Sequence, residues 1–215
     1  MDNSQLIGLS QLSALQRKMD IIANNLANVS TSGYRGEQPI FSEYVMPLAE
    51  DNTSGTTDDS LLYVIDPALH RDFRFGRMEQ SGNPLDVALN GKGWFVVETE
   101  DGERYTRAGR FSLNADGQLT TVDGKPVLGD GGPIVFQENE SNITFAGDGT
   151  ISSSAGEKGR LRVVTFADER QLIKEGANLF ASPEPPVAAE NPRLSQGVVE
   201  LSNVNPIQQI SEMIQ

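Results

Sequence analysis

The chain of 215 residues contains no cysteine, one histidine and one tryptophan. Without cysteine it can form no disulfide, and it offers no thiolate as a nucleophile or metal ligand. No apolar run approaches the roughly 20 residues that a helix needs to span a bilayer. The first residues, Met1–Gln5, lack the basic region and apolar block of a cleaved secretory signal. If the protein is exported, we therefore expect a route that uses no such signal.

Basic residues are also scarce, because 17 Lys and Arg stand against 30 Asp and Glu, a formal net charge of -13. Nucleic-acid binding requires a basic surface that contacts phosphates, so this balance argues against a nucleic-acid partner. The apolar fraction of 37% is low for a compact globule. The length still suffices for one or two domains with a core.

The residues that carry most enzyme chemistry form no constellation in this sequence. A Ser-His-Asp triad would have to use the single histidine, His70, and no nucleophile-elbow pattern accompanies it. Residues Asn90–Trp94 lack the spacing of a phosphate-binding loop, and the Asp-Gly pairs lack the ligand order of a calcium loop. No pair of carboxylates can be singled out as a glycosidase would require. We therefore predict no catalytic, cofactor or metal site, no enzyme activity and no small-molecule substrate.

Two short apolar heptad segments lie at opposite ends of the chain. The apolar side chains recur with the 3, 4 spacing of a coiled-coil seam. Such a narrow seam cannot bury itself, so it needs a partner helix from the other end of the chain or from another copy. The seam positions are Leu12, Leu15, Met19, Ile22, Leu26 and Val29 near the N-terminus and Ile207, Ile210 and Ile214 near the C-terminus.

Almost everything between these segments has the pattern of β-structure. Five Asp-Gly pairs punctuate residues 81–182, and Asp-Gly favours hairpin turns because both residues tolerate positive φ. Strand-like pieces at Phe41–Met46 and Leu61–Ile65 flank a polar segment, 51–59, that we expect to be a mobile loop. The Pro-containing residues 183–197 are predicted to be an extended connection. The candidate strands of the centre are Trp94–Glu98, Arg104–Thr106, Arg110–Leu113, Leu119–Thr121, Ile134–Phe136, Thr144–Phe145, Thr150–Ser152 and Leu161–Phe166.

Local signals set the expected ends of the two helices. The first helix is predicted over residues 4–29, and Gly33 can take the positive φ that follows a helix end. The last helix is predicted to begin at Asn205-Pro206, with Asn as the cap and Pro at the first helical position.

These patterns predict an α+β fold, in which terminal helices form a coiled-coil-like pair beside a central, mainly antiparallel β domain. The predicted divisions are a terminal helical domain of residues 1–33 and 198–215, an extended linker of residues 34–80, and a β-rich outer domain of residues 81–197.

The most unusual polar cluster is Asn24, Asn25 and Asn28 on the first helix. Asn is a poor helix former because its side chain competes for backbone hydrogen bonds. One interpretation is a weak helix end that gives way to a turn. The other is that these amides form hydrogen bonds across helix contacts in an assembly and fix their register. The residues alone leave both interpretations open.

Three blocks of this sequence resemble the bacterial flagellar rod and hook protein family. Residues Ile22–Tyr34 resemble its N-terminal signature "NNLANxxTxGY/F". Residues Gly91–Val97 and Tyr105–Phe111 resemble the stretch "GxGFF…YTRAGxF" of its β domain. Residues Ser202–Ile207 resemble the "SNVN" block that opens its C-terminal helix. The blocks occur in the family's order at both ends and in the centre, and together they are highly specific.

The resemblance implies a structural subunit of the flagellar basal-body rod that spans the periplasm, transmits torque and carries out no catalysis. The length is similar to that of proximal-rod members, with distal-rod members as the alternative. The hook protein carries an additional outer domain for which this chain has no room. The implied partners are other rod subunits, including copies of this chain, and the flagellar type III export apparatus. The family's last helix normally runs beyond the point where this chain ends.

In this interpretation the terminal helices form the inner layer of a helical assembly with heterologous contacts. A β-rich periplasmic binding module and a carboxylate hydrolase remain as less favoured alternatives. The predicted assembly interface consists of Leu12, Leu15, Met19, Ile22, Asn24, Asn25, Leu26, Asn28, Val204, Ile207, Ile210 and Ile214.

Overall fold

The structure, a computed structural model, describes residues 3–39, 42–47, 60–65 and 69–214. The chain forms two compact units. The helical unit consists of Met1–Ala27, Gly36–Asp72 and Asn205–Gln215. The β unit consists of Asn28–Arg35 and Phe73–Val204. The terminal helices contact each other within the helical unit and the β unit is antiparallel, which confirms the predicted α+β fold.

The helical unit contains two helices and two antiparallel strand pairs. Helix α1 spans Asn3–Ala27 and helix α2 spans Pro206–Ile214. The side-chain oxygen of Asn205 accepts hydrogen bonds from the backbone N–H groups of Ile207 and Gln208, which confirms the predicted cap. The strand pairs are β1 (Glu37–Pro39) with β4 (Leu69–Arg71), and β2 (Ser42–Pro47) with β3 (Ser60–Ile65). The loop predicted at 51–59 lies outside the described residues.

The β unit is built from short antiparallel strands and a single 3-10 turn at Glu169–Gln171 among its described residues. The strands are β5 (Met78–Gln80), β6 (Val87–Leu89), β7 (Trp94–Thr99), β8 (Gly102–Thr106), β9 (Phe111–Leu113), β10 (Leu119–Thr121), β11 (Leu128–Gly129), β12 (Gly132–Pro133), β13 (Thr144–Phe145), β14 (Thr150–Ser153), β15 (Gly156–Arg160), β16 (Val163–Thr165), β17 (Ile173–Gly176), β18 (Leu179–Ala181), β19 (Val187–Ala188), β20 (Leu194–Gln196) and β21 (Val198–Glu200). The largest sheet has the order β17-β18-β8-β7-β16-β19.

Four of the five Asp-Gly pairs join neighbouring strands, as the sequence predicts. They connect β7 to β8, β9 to β10, β11 to β12 and β13 to β14. Each of these four strand pairs is antiparallel. The hairpin prediction is therefore confirmed, because the turn residues and the flanking strands coincide.

Strand β7 lies at the centre of the core. Its side chains alternate between the two faces of the sheet, with Phe95 and Val97 in one buried cluster and Trp94 and Val96 in the other. Trp94 is buried, and its ring contacts those of Phe73, Phe166 and Phe180 edge-on. Because both of its faces are buried, the register in which β7 pairs with β8 and β16 is strongly specified.

Two local predictions were wrong. The connection predicted at 183–197 contains β19 and β20, which pair with β16 and β6, so its prolines bound short strands. Residues 134–136 do not extend β12. The N–H of Ile134 instead donates to Val127 O and that of Phe136 donates to Gly117 O, so this segment bridges two hairpins.

Candidate assembly site

A row of large apolar side chains lies in solvent along the N-terminal part of α1. Leu15 is 59% exposed, and Leu12 and Met19 are exposed as well. Leu9, which the heptad reasoning did not include, extends the row by one turn. Apolar side chains in a continuous row are typical of a surface that contacts another protein.

The same helix is buried toward its C-terminal end. Ile22 is 2% exposed and Asn25 is 3% exposed, and the sequence reasoning missed that Ile21 is buried beside them. Leu26 is half-buried, and Val29 is half-buried beyond the helix end. The predicted seam therefore has two parts, a solvent-exposed part that ends at Met19 and a part from Ile22 onward that is already covered within the chain.

Asn25 joins three elements of the helical unit through its side-chain amide. Its Nδ2 donates to Glu37 O at 2.7 Å and to Gln209 Oε1 at 2.9 Å. Its Oδ1 accepts from the N–H of Glu37 at 3.0 Å. One buried amide thus holds α1, α2 and the start of β1 together, because each of its polar atoms has a partner.

The other two asparagines of the cluster lie elsewhere. Asn24 is exposed on α1. Asn28 lies just past the helix end, where its backbone O accepts from the N–H of Thr31 and its Oδ1 accepts from Thr31 Oγ1 at 3.1 Å. The turn interpretation therefore applies to Asn28, whereas Asn25 bonds to α2 within the same chain. A role of these amides in contacts between subunits stays a prediction.

Helix α2 also leaves apolar side chains in solvent. Ile207, Ile210 and Ile214 are exposed, together with Met213, which the sequence reasoning did not select. Val204 lies before the helix and is half-buried in the β unit.

Residues 28–35, here called the N-terminal connector, lead from α1 and are packed into the β unit. The N–H of Gly33 donates to Glu200 O at 2.8 Å, and Asn178 Nδ2 donates to Ser32 O at 2.8 Å. The Nζ of Lys174 lies 4.6 Å from the centroid of the Tyr34 ring, a cation–π contact. Ser32 to Arg35 are all buried, so this segment belongs to the β unit's core.

Arg35, Arg107 and Glu200 form a buried ionic group, here called the arginine–glutamate cluster. Arg35 Nη1 donates to Glu200 Oε1 at 2.7 Å, and Arg107 Nε lies 3.2 Å from Glu200 Oε2. Arg107 Nη1 also donates to Gly91 O and Gly93 O. The half-exposed ring of Phe75 covers both guanidinium groups, with its centroid 5.8 Å from Arg35 Cζ and 4.9 Å from Arg107 Cζ.

Burial lowers the pKa of Arg107 to about 10, because the charged guanidinium loses contact with water, and the carboxylate of Glu200 opposes this shift. A pKa near 10 keeps Arg107 protonated at neutral pH. The ion pair with Glu200 is therefore present under ordinary conditions.

The cluster lies where the three sequence blocks converge. Gly33 and Tyr34 end the first block, and Arg35 directly follows it. Gly91, Gly93 and Arg107 belong to the second block, and the third begins two residues after Glu200. The sequence reasoning missed all three charged residues. Arginine and glutamate are rarely fully buried unless they are paired, and the sequence alone does not show that these three are buried. The pairing itself could not be deduced, since 165 residues separate Arg35 from Glu200.

The described residues offer no arrangement for metal binding, as no three His, Asp or Glu side chains among them come together for that purpose. His70 is exposed on β4, opposite Gln38 of β1. No described helix is long and apolar enough to cross a membrane.

Two protein-family descriptions match this chain. The family "Flagella basal body rod protein" matches residues 6–35, which cover most of α1 and the N-terminal connector. The "Flagellar hook protein FlgE/F/G D1 domain" matches residues 88–153, which cover much of the β unit. The matched segments thus contain Arg35 and Arg107 of the arginine–glutamate cluster.

Relatives that align with nearly the whole chain are also named as flagellar basal-body rod proteins. The chain is 36% identical to the flagellar basal-body rod protein FlgF of Caulobacter vibrioides, with 100% of this chain and 88% of the relative covered. It is 34% identical to FlgF of Salmonella typhimurium, with 100% and 88% covered. It is 30% identical to the rod protein FlgG of Bacillus subtilis, with 96% and 87% covered. The chain therefore belongs to the flagellar basal-body rod protein family, a family of structural proteins.

Proposed function

We propose that this rod protein polymerises through the exposed apolar rows of its terminal helices and thereby transmits torque. The observation that carries the proposal is the set of large apolar side chains left in solvent on both helices, which is Leu9, Leu12, Leu15 and Met19 on α1 and Ile207, Ile210, Met213 and Ile214 on α2. Burying one such side chain stabilises a contact by about 1.5–3 kcal/mol, so a shared row can hold subunits together.

Within the predicted interface, the exposed and buried residues have different tasks. Leu12, Leu15, Met19, Ile207, Ile210 and Ile214 would contact neighbouring subunits. Ile22 and Asn25 would instead support the surface from inside, since their side chains are already covered. Contacts of this kind are heterologous, and they propagate along a helical rod instead of closing a ring.

The partners proposed for the chain are other rod subunits, its own copies among them, in the part of the flagellum that spans the periplasm. Export would proceed through the flagellar type III apparatus. We assign the chain to the proximal rod, because the FlgF-named relatives above align over its whole length. The distal rod is the second candidate, since FlgG-named relatives match at similar identity.

The test is complementation of a deletion strain with the double variant Leu12→Asp/Leu15→Asp. Two carboxylates placed in an apolar contact should prevent assembly, because burying them unpaired is costly. We expect non-motile cells whose basal bodies lack a complete rod in electron tomograms. The matched control, Ser13→Asp/Gln16→Asp, adds the same charge at exposed polar positions on the same turns of α1 and should restore swimming.

Tryptophan fluorescence of the purified variants should be unchanged, because Trp94 lies in the core of the β unit. Normal swimming with Leu12→Asp/Leu15→Asp would reject the proposed interface. Intact basal bodies in the deletion strain itself would reject the rod role.

A further inference from the structure

The arginine–glutamate cluster joins three separate parts of the β unit through one carboxylate. Arg35 lies in the N-terminal connector, Arg107 follows β8, and Glu200 ends β21. Residues 201–204, here called the C-terminal connector, run from Glu200 to the start of α2. The cluster is thus placed between the segment that follows one helix and the segment that precedes the other.

The two oxygens of the Glu200 carboxylate are held differently. Oε1 accepts from Arg35 Nη1 at 2.7 Å and from the N–H of Gly76 at 2.9 Å, while Oε2 accepts no hydrogen bond from a described residue and lies 3.2 Å from Arg107 Nε as an ion pair. Glu200 is 1% exposed. It is the only acidic side chain in ionic contact with either arginine among the described residues, so two buried cations depend on one buried anion.

The N-terminal connector also binds both Glu200 and the C-terminal connector directly through the backbone. The N–H of Gly33 donates to Glu200 O at 2.8 Å, and the N–H of Asn203 donates to Tyr34 O at 3.4 Å. The side chains of Arg35 and Asn203 both donate to Arg74 O. Neither connector can therefore leave the β unit without breaking bonds made by the other.

We propose that the arginine–glutamate cluster is a latch that fixes both helix connectors to the β unit as one cooperative element. Removing Glu200 leaves two buried guanidinium groups without their anion, which is far more costly than breaking an exposed ion pair. Removing the Arg35 side chain instead takes away the bonds that the N-terminal connector makes to Glu200 Oε1 and Arg74 O. The buried Nε of Arg35 and Nη2 of Arg107 have no hydrogen-bond partner in the described chain, so the latch relies on the charge of Glu200.

The latch gives the β unit a role in presenting the assembly surface, and this consequence rests on the proposed function. Helix α1 ends where the N-terminal connector begins, and α2 starts directly after the C-terminal connector. Arg35, Arg107 and Glu200 therefore act as positioning residues for assembly, and they touch no neighbouring subunit in this scheme.

The test is hydrogen exchange on the purified full chain with Arg35→Met, which leaves Glu200 paired with Arg107 and the remaining pair neutral. We expect exchange at the amides of both Gly33 and Asn203 to rise by about tenfold or more, while amides of β7 keep their protection. The matched control is Arg77→Met, which removes an exposed arginine next to β5 and should change neither amide.

Glu200→Gln is the second variant, and we expect it to release both connectors as well. If Glu200→Gln unfolds the β unit, the exchange rates measured on Arg35→Met decide whether the latch exists. Faster exchange at Gly33 with unchanged exchange at Asn203 would overturn the latch, because the connectors would then be fixed independently. Unchanged exchange at both amides would overturn it as well.

The two proposals fail separately. If Leu12→Asp/Leu15→Asp supports swimming while Arg35→Met releases both connectors, the latch is supported and the proposed interface is rejected. If Arg35→Met leaves both amides protected while Leu12→Asp/Leu15→Asp abolishes swimming, the proposed interface is supported and the latch is rejected.

Discussion

Gly33 is the residue at which local and long-range constraints coincide. Its φ is +66°, and a Cβ at this position would lie 2.5 Å from the backbone carbon of Arg107. The sequence predicted the positive φ, because Gly commonly follows a helix end. It could not predict the close approach to Arg107, since that depends on how two distant segments pack.

We expect Gly33→Ala to destabilise the β unit more than Gly82→Ala does. Gly82 has a φ of +74° with no atom near the added methyl group, so it isolates the backbone term of about 1–2 kcal/mol. At Gly33 the methyl group would also meet backbone atoms, which cannot rotate away. Urea unfolding followed by Trp94 fluorescence measures both variants. Equal losses would mean that the N-terminal connector moves aside freely.

At the scale of elements, the heptad period correctly grouped Leu12, Leu15 and Met19 on one exposed row of α1. It could not locate the point at which the helix becomes covered, because a repeat does not encode the length of its partner. Helix α2 and β1 cover the end of α1, and Asn25 is the side chain that contacts both. The position of Asn25 beside the seam was visible in the sequence, but its partner Gln209 was not.

A double-mutant cycle should reveal coupling between Asn25 and Gln209 within the helical unit. Gln209→Ala removes the acceptor of one of the hydrogen bonds donated by Asn25 Nδ2, and Asn25→Ala removes the donor to Gln209 Oε1 together with both bonds to the Glu37 backbone, so each change costs about 1–3 kcal/mol. The double variant should cost less than the sum by about 0.5–3 kcal/mol, because the two residues share a bond. Thermal unfolding followed by circular dichroism at the helix band measures the cycle. The cycle of exposed Gln16→Ala with Gln209→Ala is the control and should be additive.

At the scale of the whole molecule, the antiparallel β unit and its hairpins could be predicted because Asp-Gly turns and alternating strands are local signals. Which residues belong to each of the two units could not be predicted in the same way, because that depends on contacts between distant segments. The sequence predicted that residues 28–35 are a helix end and the start of a linker, whereas in the structure they are part of the β unit. The division at residues 33, 80 and 197 stays a prediction about the assembled protein.

Two truncations test whether the N-terminal connector is an integral part of the β unit. A fragment of residues 28–204 retains the connector, and a fragment of residues 36–204 differs from it only by losing those eight residues. The shorter fragment loses the buried ring of Tyr34 and the pairing of Arg35 with Glu200, and it retains Arg107 as the partner of that carboxylate. We expect it to be less stable by at least about 2 kcal/mol, since burying one large apolar side chain alone stabilises by about 1.5–3 kcal/mol. Urea unfolding followed by Trp94 fluorescence compares the two fragments. Equal midpoints with equal slopes would mean that the connector only lies on the β unit, and the presentation of α1 would then require contacts made elsewhere in the rod.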